Sequence, residues 1–212
     1  VAGIRALPVK DAPNGKYVIP SQNDCRACHE GPAVPVLGFS ALQLSPDRDP
    51  HAPHAEPRAA SHVDLRVLAQ RDLLRNLPRV LINQPPRIQA ASADERAVLG
   101  YLHANCGHCH NDPGESDSGV PLDLLLAQYV ARADSADAVR RSLLGMPSRF
   151  RAAGARGDTM HAETLALRMR SRDPRVQMPP LGSQLPDSQS LSLIERWISH
   201  DVKTLKEQNH EP

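Results

Sequence analysis

The sequence predicts an all-α fold of short helices joined by long proline-rich loops, and three observations predict it. Proline occupies 20 of 212 positions, about twice the usual share of roughly 5%. Each one removes a backbone donor and interrupts a helix or central strand. Phe, Tyr and Trp supply only 2, 3 and 1 residues, although these side chains bury the most surface apiece. The apolar residues that recur do so at helical spacing. A chain with so thin a stock of aromatics usually needs a staple: a disulfide, a metal or a cofactor.

Taken in order, residues 1–20 read as an extended lead-in, and Ser21 or Asp24 caps a short helix over Cys25–His29. Residues 36–45 precede Pro46, Pro50, Pro53 and Pro57, which forbid a regular helix and make a stiff loop. Val63, Leu65, Leu68, Leu73 and Leu74 outline an amphipathic helix over 63–75. Pro78, Pro85 and Pro86 then mark a boundary between regions 1–90 and 91–212. Ser92-Ala93-Asp94-Glu95 has the capping-box pattern, and Val98, Leu99 and Leu102 give the following helix an apolar face running into Cys106. Past an acidic loop, Asn111–Gly119, short helices are expected at 121–131, 135–144 and 162–170. Met178-Pro179-Pro180-Leu181-Gly182 forms a strap, and Asp187 caps a last helix carrying Leu191, Ile194, Trp197, Ile198 and Val202.

Charge and hydropathy exclude several classes. Twenty-five basic against 24 acidic residues leave a net charge of +1, so no global field recruits nucleic acid or anionic lipid. The longest apolar runs fall far short of a bilayer span. Val1 opens without a charged n-region and apolar h-region, so any secretory signal is expected to have been removed or never present.

The four cysteines carry the chemistry. They form two copies of one pattern, Cys25-Arg26-Ala27-Cys28-His29 and Cys106-Gly107-His108-Cys109-His110. C-x-x-C-H is the attachment pattern of c-type haem. One helical turn brings two thiols to the two vinyl groups of a single haem, and the next residue, His, reaches the iron. A four-cysteine zinc site would have to close over the 77 residues between Cys28 and Cys106, far beyond a compact zinc ribbon. It would also leave both trailing histidines without a role. A thioredoxin-like pair wants a βαβ surrounding that is not seen. Two covalently attached haems follow, with Cys25, Cys28 and His29 holding haem 1, and Cys106, Cys109 and His110 holding haem 2. They would supply apolar surface that the aromatics do not, so the haem-free chain is expected to be largely unfolded.

A helix entering C-x-x-C-H, a Met-Pro-Pro segment and a closing amphipathic helix make residues 91–212 resemble the class I cytochrome c fold. The resemblance implies Met178 as sixth iron ligand opposite His110, with Met160 or Met169 as alternatives. Tyr101-Leu102-His103-Ala104-Asn105-Cys106, with the segment Leu37–Leu44, resembles an uncharacterised group of bacterial dihaem cytochrome-like proteins. No Met occurs between His29 and Met146, so haem 1 takes its sixth ligand elsewhere. His54, flanked by Pro53 and Pro57, is the candidate preferred over His51 and His62, and a vacant position is the remaining option.

What the resemblance implies is one-electron transfer in the periplasm, since haem is attached to this motif outside the bacterial cytoplasm. A bis-His haem 1 lies lower in potential than a His/Met haem 2, so electrons would run from the first to the second. The expected partners are redox proteins, donor and acceptor, or a larger oxidoreductase of which this chain is a subunit. The competing class is a dihaem peroxidase-like enzyme with an open site at haem 1, where His51, His54 or Glu56 would act as acid or base. Arg168, Arg170, Arg172 and Arg175 stand before Met178 as candidates for haem propionates or partner docking, or as a solvated face.

Overall fold

Ser21 opens the first helix with a complete capping box. Its hydroxyl accepts from the Asp24 N–H at 3.3 Å, and the Asp24 carboxylate accepts from the Ser21 N–H at 2.8 Å. Helix α1, Gln22–His29, therefore contains the whole first motif. It follows a short antiparallel hairpin of β1, Ala6–Pro8, and β2, Lys16–Val18, with Leu7 opposite Tyr17. The computed structural model describes residues 6–12, 14–30, 36–57, 59–112, 122–126, 135–144 and 161–202. Residues 127–131 of the helix expected over 121–131, most of the acidic loop, and Met146, Met160 and His210 lie outside them.

The amphipathic helix expected over 63–75 is shorter. Asp64 caps α2, Leu65–Gln70, by accepting from the N–H groups of Arg66 and Val67, and the helix buries Leu65 and Leu68. It stops as Asp72, just past the C-cap Arg71, turns to φ 56°, a left-handed value that ends a helix and that Asp and Asn tolerate best after Gly. A five-residue helix, α3, Arg79–Asn83, follows Pro78.

Helix α4, Ala93–Asn105, runs into the second motif as expected. Ser92 caps it, accepting from the Glu95 N–H at 3.0 Å. Glu95 does not close the box onto Ser92. Its buried carboxylate accepts from Ala91 N–H at 2.5 Å and from the Arg140 guanidinium at 2.7 Å. Val98, Leu99 and Leu102 of α4 pack on Leu191, Ile194 and Trp197 of α7, Ser188–Trp197, which continues as a five-residue π turn, Ile198–Val202. Helices α5, Ser135–Leu144, and α6, His161–Arg170, complete the layer with Val139, Leu143, Leu165 and Met169. Met169 is thus core. This cluster gathers aliphatic side chains and Trp197 from α4, α5, α6, α7 and the Leu122–Leu126 segment.

The all-α prediction is corrected: the fold is a mixed arrangement, helical with small antiparallel ribbons. Besides the N-terminal hairpin, β3, Asn111–Asp112, pairs with β4, Leu122–Asp123. The helix expected from 121 is replaced at its start by β4 and an extended turn. Leu122, Leu124 and Leu126 are buried while Leu125 is 40% exposed, an alternation of period two in a leucine-rich run read as helical. Tertiary bonds fix it: Asp123 N–H donates to Ser142 Oγ at 2.9 Å and Leu124 N–H to the His110 carbonyl at 2.7 Å.

The proline-rich loop docks across the 90/91 boundary. Arg96 of α4 donates to the Asp47 carbonyl at 3.2 Å and pairs with the carboxylates of Asp47 and Asp49, each at 3.6 Å. Arg87 meets Asp47 at 2.7 Å. No helix among the described residues is long and apolar enough to cross a membrane.

Candidate functional site

The second motif is a turn held from three sides. Cys106 and Gly107 both donate to the Leu102 carbonyl, at 2.8 and 2.9 Å, and Cys109 and His110 both donate to the Cys106 carbonyl. The β3–β4 ribbon then grips His110 from the C-terminal side. Gly107 is required here, because a Cβ would lie 2.9 Å from the His103 carbonyl oxygen and 3.0 Å from that of Leu124. Burial pushes the Cys106 thiol up to about 12, with the Cys109 thiol adding to the shift. Burial and the Cys28 thiol raise Cys109 likewise. Both stay protonated near neutrality, the opposite of the lowered thiol a redox-active C-x-x-C needs.

The two motifs converge. Cys28 Sγ, Cys109 Sγ and a ring nitrogen of His108 lie within 4.8 Å of one another. Cys25 stays exposed at the start of the same helix turn. Burial lowers the pKa of His108, helped by the neighbouring His29. Nothing local in the sequence signals this meeting, because 77 residues separate Cys28 from Cys106.

His103, beside the second motif, is buried. Its Nδ1 accepts from the Leu126 N–H at 3.1 Å, which assigns the ring proton to Nε2. Burial pushes its pKa down to about 4. It pins the Leu122–Leu126 segment to α4.

Met178 sits half-buried on a strap fastened by two arginines. Its N–H donates to the Arg168 carbonyl at 3.0 Å. Arg168 Nε donates to the Val176 carbonyl at 2.8 Å, and Arg172 bonds Ser183 Oγ at 2.8 Å and the Met169 carbonyl. Burial lowers the pKa of both guanidiniums. Both side chains are half-buried and bonded within the strap, while Arg170 pairs with Glu195 and Arg175 is exposed.

His54 is engaged elsewhere in the fold. Its backbone takes φ 59°, and its Nε2 lies 2.9 Å from the carboxylate of Asp187, the N-cap of α7. Burial raises the Asp187 pKa, but bonds from Ser190 and His54 outweigh it and hold the group below the ordinary value. His62 meets Arg48 at 2.7 Å through Nδ1. His54 lines a cleft of about 240 Å³ and His51 a neighbouring one of about 580 Å³. Neither cleft is lined by a cysteine of either motif or by His29 or His110.

Two further observations bear on what the site can hold. The Nε of Arg172 and the indole Nε1 of Trp197 are buried N–H donors with no acceptor among the described residues. Such donors suit the carboxylates of a haem, and each motif offers two thiols and a histidine. The residues present thus fit covalently bound haem. No protein-family model, curated protein or solved structure matches this chain.

Proposed function

We propose that this chain is an exported dihaem c-type cytochrome that passes single electrons between redox proteins, in the periplasm of a bacterium. The observation that carries the proposal is the pairing of the motifs: every cysteine belongs to a C-x-x-C-H, and the fold brings the two together at Cys28 and Cys109. Bound there, the haems would supply reversible one-electron storage at two adjacent sites.

The chain's own part is to hold and to tune. Cys25 and Cys28 would anchor haem 1 with His29 as its proximal ligand, and Cys106 and Cys109 haem 2 with His110. Met178 is the proposed sixth ligand at haem 2, and Arg168 and Arg172 position its strap without contacting iron. A thioether is a soft ligand that favours the ferrous state and raises the potential. His54 is the proposed sixth ligand at haem 1, and it serves only by leaving Asp187.

That engagement favours a second reading, in which haem 1 keeps an exchangeable position and the chain is a dihaem peroxidase-like enzyme. EPR with optical spectroscopy of the ferric holoprotein, repeated on His54→Ala and Met178→Ala, separates the two. Two low-spin signals, one lost in each variant, support the electron carrier. A high-spin signal in the wild type that shifts with peroxide or cyanide supports the enzyme, and haem-free protein after maturation refutes both.

A further inference from the structure

The meeting of the motifs also makes a metal-binding constellation. Cys28 Sγ, Cys109 Sγ and a ring nitrogen of His108 stand within 4.8 Å of one another. Around tetrahedral zinc, with Zn–S near 2.3 Å and Zn–N near 2.0–2.1 Å, ligand atoms stand roughly 3.3–3.8 Å apart. Rotation of side chains covers the difference. A second observation points the same way: His108 Nδ1 is buried and makes no hydrogen bond among the described residues, a state that is costly for a polar atom. None of the four cysteines is in a disulfide.

We propose that the chain, before haem is attached, binds one zinc-class divalent cation between its two motifs through Cys28, Cys109 and His108. Two sulfurs and an imidazole select a thiophilic cation over calcium or magnesium. Three protein ligands leave a fourth position for water. Binding releases the two thiol protons to solvent and involves no redox change. The cation clamps α1 against the turn after α4 and occupies one cysteine of each motif, so metal binding and thioether formation exclude each other at Cys28 and Cys109. This site stands independently of the haem reading and competes with it for two sulfurs.

The test uses the full chain made without haem attachment, kept reduced and titrated with Co²⁺. One equivalent is expected to give a thiolate-to-cobalt charge-transfer band and the strong visible absorption of a tetrahedral site, both displaced by Zn²⁺. Cys28→Ser and Cys109→Ser each weaken binding at least about tenfold and reduce the charge-transfer intensity, whereas Cys25→Ser changes neither. Because a motif substitution can unfold the chain, alkylation of the wild type is mapped in parallel: Zn²⁺ is expected to protect Cys28 and Cys109 and not Cys25. Absence of a thiolate band, or protection that falls on Cys25 with Cys28, overturns the proposal. A chain that takes two haems on export but shows no cobalt band refutes this inference alone. A cobalt band in a chain that never takes haem refutes the proposed function alone.

Discussion

Lowering the pH should destabilise this protein through His103, and the size of the effect follows from its burial. The ring is 5% exposed, accepts from Leu126 N–H through Nδ1, and has its pKa pushed from the ordinary 6.5 to about 4. Between those values the unfolded chain binds a proton that the folded chain refuses. Stability therefore rises with pH in this window and is lost as pH falls through it. Integrating between pH 7.5 and 4.5 gives a loss of about 2–3 kcal/mol from this one ring. Gln in its place does not titrate and keeps an acceptor for Leu126. Urea unfolding of wild type and His103→Gln, followed by far-UV circular dichroism at both pH values, isolates the term as the difference between their pH dependences. Equal pH dependence in the two proteins would refute the reasoning.

Three more outcomes are expected. Gly107→Ala should cost about 1–3 kcal/mol in urea unfolding, because the new Cβ meets backbone oxygens of His103 and Leu124 that have no side-chain freedom to retreat. Arg140→Met should destabilise by about 3 kcal/mol, leaving Glu95 buried and unpaired, and adding Glu95→Gln should recover part of that loss; a double variant no better than the single one would contradict the pairing. Arg172→Met removes the bonds to Ser183 and Met169, so the holoprotein should lose its His/Met spectroscopic signal while keeping both haems; an unchanged signal would show that the strap holds without it.

The helices that carry the site were legible because their signals are local. Ser21, Ser92 and Asp187 each sit at a helix start, and the periods of Val98–Leu102 and Leu191–Trp197 name the faces that pack. The ribbons were not, because strands of two or three residues are too short to establish a period, and Asn111-Asp112 uses residues that strands disfavour. The alternation at Leu122, Leu124 and Leu126 was present but masked by Leu125. Roles set by long-range partners were invisible in the same way. Nothing in the sequence aims Arg168 and Arg172 inward, ties His54 to Asp187, or sets Cys28 beside Cys109. The residue types of the site can be read from the motifs, whereas their meeting joins residues far apart in the sequence.

The most direct test of the account is the intact mass of the chain, produced with an export signal in a host that attaches c-type haem and followed by peptide mapping. Two added haems, one on Cys25 and Cys28 and the other on Cys106 and Cys109, are the result the account predicts. Four unmodified cysteines, or disulfides within the motifs, would contradict it.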